Sequence, residues 1–344
     1  MTLRAALLQQ ARSCAALGSP FMEMLMTALA EDWPDDSALG RLCAGWKGDV
    51  GPGGASLPLR IAGGLHALVL TGRAPDLAAV YPSATAPDPI FRATVLEALA
   101  THEAFLIDWM QRAPQTNEVR RSAALIPAAH LLAARHPLPF VLSELGASGG
   151  LNLMFDRFAL TAGTTRLGPP DAALTLTPQW QGAAPAQSAL RVDERRGVDL
   201  NPLDLRDPAQ ALRLAAYLWP DQPERVALTR AAIAVQDAEV DKGDAADWLE
   251  RRLATDRPGQ LHLIYHTVAW QYFPPLAQAR GTALIEAAGA RATAETPLAW
   301  LGMENDGGEG AALSLRLWPG DLRLSLGRID FHGRWVKWNA PNLP

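Results

Sequence analysis

The segment PFVLSEL, residues 139–145, runs into Gly146-Ala147-Ser148-Gly149-Gly150. A short apolar run that ends in a carboxylate and then in glycines reads as a buried parallel strand feeding a tight turn. Buried parallel strands need crossover helices, so this one stretch commits the surrounding chain to an α/β architecture. The glycines also permit close approach of the backbone to a ligand.

The residues on either side follow two different patterns. Up to residue 136 the apolar positions recur at helical spacing: Leu3, Leu7, Ala11, Cys14 and Leu17 share one face. A longer stretch from Phe91 to Arg112 carries Phe91, Val95, Leu99, His102, Leu106 and Trp109 on one stripe, which predicts a single long helix with a core histidine. The Gly/Pro-rich GDVGPGGASLP (48–58) separates helices as a loop. After residue 137, strand-like runs (GQLHLIYHT at 259–267, PLAWLGMEN at 297–305) alternate with helical ones. LSLRLW and LRLSLGRIDF flank Pro319-Gly320-Asp321 with period-two alternation, predicting a closing antiparallel hairpin. The expected organisation is a helical accessory or lid domain over 1–136 and a mostly parallel α/β domain over 137–344, with hairpins inserted near 159–190.

Composition narrows the partners. A formal charge of −5 without a basic run argues against nucleic acid. No apolar run is long enough to span a bilayer, and the N-terminal stretch lacks a signal-peptide core. Cys14 and Cys43 form neither a disulfide framework nor a metal-ligand spacing, as expected of reduced thiols in a cytoplasmic protein.

GASGG can be read as G-x-S-x-G, a nucleophile elbow with Ser148 attacking and a later histidine (His262, His266 or His332) as base. That fold needs several strands before the elbow, where this chain reads as helical. The alternative is Glu144-x-Gly146-x-Ser148-x-Gly150 as a ligand loop, with a helix from Leu151 presenting free N–H groups. The order of motifs favours it. RRGVDLNP places Asp199 at the end of a second strand, where an acid can accept from ribose hydroxyls. VDKGDAADWL places Asp244 and Ala245 before a helix, suited to an adenine amino group and a ring nitrogen. LHLIYHT ends in His266, the candidate general base.

Residues 138–335 therefore resemble the Rossmann-like fold of S-adenosylmethionine-dependent methyltransferases. That resemblance implies S-adenosylmethionine as cofactor, a small-molecule acceptor, and Glu144, Gly146, Ser148, Gly150, Asp199, Asp244 and Ala245 as cofactor-binding residues. The whole chain also resembles the bacterial domain-of-unknown-function family 2332, through LPLRIAGGLHALVL, QTNEVRRSAALIP, SELGASGGLNL, GVDLNPLD, Trp219-Pro220-Asp221-Gln222 and FHGRWVKW.

Further substrate-binding candidates are Gln115, Asn117, Arg120 and Arg121 from the polar QTNEVRR segment, with Tyr272 and Glu304 near strand ends. An arginine there can pair with the methionine carboxylate or an acidic substrate. Asn117 and Glu118 also suit a helix start. A ligand-binding or regulatory module without catalysis is the alternative function, because methyl transfer leaves no obligatory catalytic signature.

Overall fold

A computed structural model of the chain describes residues 1–84 and 86–341. Seven helices come first: α1 (Leu3–Ala16), α2 (Pro20–Glu31), α3 (Ala38–Ala44), α4 (Leu57–Leu70), α5 (Pro75–Ala79), α6 (Asp88–Thr101) and α7 (Glu103–Met110). α8 (Ser122–Arg135) leads into β1 (Phe140–Leu145). Four short strands follow: β2 (Phe158–Ala162), β3 (Thr165–Leu167), β4 (Leu174–Leu176) and β5 (Gln179–Gln181). Next come β6 (Val192–Asp199), α9 (Pro208–Ala216), α10 (Pro223–Val235), β7 (Glu239–Lys242), α11 (Ala245–Leu253) and β8 (Leu261–Thr267). The chain ends with α12 (Pro275–Gly289), β9 (Leu298–Glu304), β10 (Ala311–Trp318), β11 (Leu322–Ile329) and β12 (Trp335–Trp338).

Two compact units result. One comprises Met1–Thr116 with Leu205–Ala227, the other Asn117–Asp204 with Leu228–Pro344. By contacts, α8 thus groups with the sheet, whereas the change of sequence pattern falls at 137. Likewise 205–227, which lies beyond that change, groups with the helices.

The helical unit buries one large apolar cluster that includes Leu7, Leu25, Met26, Leu57, Ile61, Phe91 and Leu99. The single helix expected from Phe91 to Arg112 is instead two, broken at His102 (φ −110°, ψ 22°). The break lets α7 turn onto α4, where Leu106 and Trp109 pack against the backbone at Gly64.

The sheet unit holds a nine-stranded sheet of order β5-β12-β11-β10-β9-β8-β1-β6-β7. Pairing is parallel from β7 through β6, β1 and β8 to β9. From β9 through β10 and β11 to β12 it is antiparallel. Numbered among themselves, the five parallel strands run 3-2-1-4-5, so the winding reverses between β1 and β8. Ligands of open α/β sheets sit at such a reversal, outside the carboxyl ends of the strands. α11 and α12 cover one face with Trp248, Leu249 and Ile285 over Leu145, Val198, Ile264 and Leu298. α8 and the turn after β1 pack on the small sheet of order β3-β2-β4. The expected insertion is therefore the β2–β3 hairpin with β4, while β5 joins β12 at the edge of the large sheet.

Candidate functional site

Glu144 occupies the penultimate position of β1, opposite Tyr265 of β8 and Gly197 of β6. Alternation puts Ser143 and Glu144 on opposite faces of the sheet. Ser143 Oγ lies 2.7 Å from His262 Nε2 and accepts from Arg252 Nε at 2.9 Å, which absorbs His262 into the α11 side. The carboxyl of Glu144 goes the other way. Only 2 % of the residue is exposed, and among the described residues its Oε2 has no hydrogen-bond partner. Burial, and then the Asp199 charge, push its pKa well above the ordinary carboxylate range, with Arg121 opposing.

The loop beyond β1 is held in left-handed backbone at Gly146 (φ 72°), Ser148 (φ 52°) and Gly150 (φ 73°). At Gly146 the requirement is also steric, since a Cβ would meet Ala269 Cβ at 2.5 Å. Ser148 is a non-glycine residue in this region, a conformation that needs support. Asp199 supplies it. Its carboxylate accepts from Ser148 N at 2.9 Å and from Asn201 N at 2.8 Å. Asp199 is the last residue of β6, the second parallel strand. Much more chain separates it from Glu144 than the roughly 20 residues of a compact dinucleotide unit, because β2–β5 intervene. Ser148 Oγ is buried with no hydrogen-bond partner among the described residues.

The expected helix from Leu151 is a seven-residue 3-10 turn, Leu151–Arg157, and its first N–H is taken. Asn117 Oδ1 accepts from Leu151 N at 2.9 Å. Asn152 Nδ2 donates to Glu118 O, while its Oδ1 accepts from Ser122 Oγ at 2.8 Å. The 117–122 segment thus buttresses the glycine loop, and Asn152 and Ser122 are residues that the sequence did not single out. Arg121 donates to Thr267 O at 2.9 Å and to Phe331 O at 3.0 Å, tying the end of β8 to the last loop. Arg120 Nε reaches Glu118 Oε1 at 3.2 Å. Gln115 belongs to the helical unit.

Asp244 caps α11, accepting from Ala246 N at 2.9 Å and Asp247 N at 3.1 Å. The neighbouring Gly243 N donates to Asp199 O, so the loop bearing Asp244 and Ala245 lies alongside the second strand end.

His266 and Glu304 form a separate lock. His266 Nδ1 lies 2.7 Å from Glu304 Oε1, and Trp300 Nε1 donates to His266 Nε2 at 3.0 Å. An indole N–H only donates, so Nε2 is the acceptor and the proton sits on Nδ1. Neither nitrogen is left to act as a base. Glu304 also accepts from Ala269 N, Trp270 N and Gln271 N, at 3.0, 3.0 and 3.3 Å. Burial raises the Glu304 pKa, but the His266 bond and these N–H groups outweigh it and hold the carboxyl below its usual range. The loop so fixed contains Val268 at φ 54°, a strained conformation for a β-branched residue. It presses Ala269 against Gly146. Tyr272, at the end of the same loop, is 71 % exposed.

With this geometry in view, residues 4–338 match the family model described as an uncharacterised protein conserved in bacteria, DUF2332, and the chain belongs to that family. No curated protein matches the chain. Among solved structures, it is similar to the crystal structure of SCL7 in Oryza sativa at 13% identity, covering 90% of this chain and 65% of that one. The TM-score of 0.25 carries no argument about fold or function. No described helix is long and apolar enough to cross a membrane.

Proposed function

We propose that the protein is an S-adenosylmethionine-dependent methyltransferase acting on a small-molecule acceptor. The observation that carries this reading is Glu144, a carboxyl buried at the end of the first strand, beside the reversal of winding, whose Oε2 bonds nothing among the described residues. A buried polar atom without a partner costs about 1–3 kcal/mol, a cost that a ligand donor would remove. Ser148 Oγ, also unbonded, supports the same cradle. Glu144 would accept from the ligand's ammonium group. Asp199 has two backbone bonds, and a carboxylate offers about four acceptor sites, so ribose hydroxyls could share it. The Asp244–Ala245 turn suits the adenine edge.

The cofactor would supply an electrophilic sulfonium methyl. The protein's part is to orient it and exclude water. With both nitrogens of His266 engaged, the acceptor would be one whose nucleophile needs no base from that residue. The same engagement disfavours the hydrolase reading, since Ser148 Oγ bonds no histidine. It is compatible with a non-catalytic ligand-binding module, and turnover separates the two. Buried, unpaired Cys14 and Cys43, their thiols pushed up by burial to about 11 and about 12, suit a reducing cytoplasm.

The test is titration calorimetry and thermal unfolding with S-adenosylhomocysteine. Ligand at a hundredfold over Kd stabilises the native state by about 2.7 kcal/mol, so a rise of a few degrees is expected. No heat and no shift at millimolar ligand would remove the proposal.

A further inference from the structure

Arginine is rarely buried without an acid beside it, yet the helical unit buries two in that state. Arg60 on α4 is 7 % exposed and Arg213 on α9 is 6 % exposed. Among the described residues neither makes an ion pair. Arg60 donates to Ala55 O at 2.7 Å and to Met110 O at 2.6 Å. Arg213 donates to Trp109 O and Arg112 O, each at 3.1 Å, and lies over the Trp109 ring at 4.5 Å. Trp109 O, Met110 O and Arg112 O lie at or just past the end of α7, whose dipole offers only about half an elementary charge, and Ala55 O lies in the loop before α4. Burial disfavours the charge on both; Tyr217 opposes that most, while Arg213 adds to it at Arg60 and exposed Arg112 adds to it at Arg213, with Asp108 opposing more weakly. Two full charges are therefore buried without an acid bonded to either.

Tyr217 neighbours both. It is near enough to interact with both arginines, and its buried hydroxyl forms no hydrogen bond of good geometry among the described residues. The fold gives up helix propensity to place it there. Gly63 lies mid-helix in α4, where glycine costs about 1 kcal/mol against alanine. A Cβ at that position would meet the Tyr217 ring at 2.5 Å.

We propose that Arg60, Arg213 and Tyr217 form an oxyanion-binding site in the helical unit, taking a carboxylate or phosphate group of a small molecule. Guanidinium forks match both groups, and a phenolic O–H adds a third donor. The proposal does not rest on the glycine-loop reading and can stand or fall without it.

The full chain would be unfolded thermally in sodium phosphate, in sodium succinate and in sodium chloride at matched ionic strength. A saturable rise of a few degrees in phosphate or succinate over chloride is expected, and the salt that acts identifies the group. Equal Tm in all three salts overturns the proposal. Arg213→Gln should abolish the anion-specific rise, giving one Tm in all three salts, whatever the loss of its carbonyl bonds costs in chloride. A purely structural arginine would instead lower Tm equally in every salt. Should that variant fail to fold, Tyr217→Phe keeps the packing and removes the donor. It should weaken anion affinity several-fold at unchanged Tm in chloride, and an unchanged anion response would refute the site.

Discussion

Glu144 is destabilising to the protein and useful to a ligand, and the two properties separate experimentally. Its pKa is raised in the folded state by burial and by Asp199. The stability it contributes is therefore complete below the unfolded carboxyl value and lost as pH rises through the folded one. Glu144→Gln removes the ionisation and nearly keeps the shape. The variant should equal the wild type in stability near pH 4 and exceed it at neutral pH, as read by Tm across a pH series. A cationic ligand favours ionised Glu144, so wild-type affinity for S-adenosylmethionine should rise with pH and binding should release protons. Glu144→Gln should lose about 1.5–3 kcal/mol of that affinity, the usual worth of a hydrogen bond to a charged group. Calorimetry in buffers of different ionisation enthalpy checks the proton release, and a pH-independent affinity would count against the assigned role. The carboxylate was legible in the sequence because it closes an apolar run before glycines. That its Oε2 has no partner among the described residues was not, since that depends on Asn117, Asn152 and Arg121 arriving from elsewhere and bonding other groups.

At the scale of elements, the glycine loop and the 268–272 loop work as a mated pair. Gly146→Ala should destabilise by about 2–4 kcal/mol, combining left-handed backbone cost with overpacking against Ala269. Adding Ala269→Gly removes the opposing Cβ and should restore the steric part, leaving roughly the 1–2 kcal/mol of backbone cost. Denaturant unfolding of the two singles and the double tests this, and simple additivity would mean that the two loops do not touch. Glu304→Gln should loosen residues 268–272 because an amide cannot accept the same set of N–H bonds. In the wild type that restraint is present above the ordinary carboxyl range and lost as pH falls through the depressed Glu304 value. Hydrogen exchange at Ala269, Trp270 and Gln271 would register both effects. The strands β1, β8 and β9 could be read from sequence because buried strands are apolar runs with polar ends, and the β10–β11 hairpin because its apolar and polar residues alternate. The break at His102 could not, because the apolar stripe of α6 continues in register into α7 and only packing on α4 divides them. The roles of His266 and Glu304 were also hidden: strand ends were predicted correctly, but a Trp300 N–H occupying the histidine is a tertiary fact.

For the molecule as a whole, the instructive segment is 205–227, which sequence pattern assigns to the α/β half and contacts assign to the helices. α9 is amphipathic in either setting, so periodicity cannot choose between them. Specific bonds choose. Asp221 accepts from Ser19 Oγ at 2.6 Å and Phe21 N at 3.1 Å, capping the start of α2, while Gln222 donates to Leu17 O. Trp219 enters the main apolar cluster, and Ala216 and Tyr217 pack on Ala67 and Trp109. A fragment ending at residue 136 therefore lacks part of its own core. It should be poorly soluble or lack cooperative unfolding, whereas residues 1–116 joined through a flexible linker to 205–227 should give a cooperative transition. Within the full chain, Asp221→Ala should cost about 1.5–3 kcal/mol per charged bond lost, and the loss should appear in hydrogen exchange of α1 and α2 before it appears in the strands. Cooperative folding of 1–136 alone would show that 205–227 is an accessory to the helical unit and not a part of it.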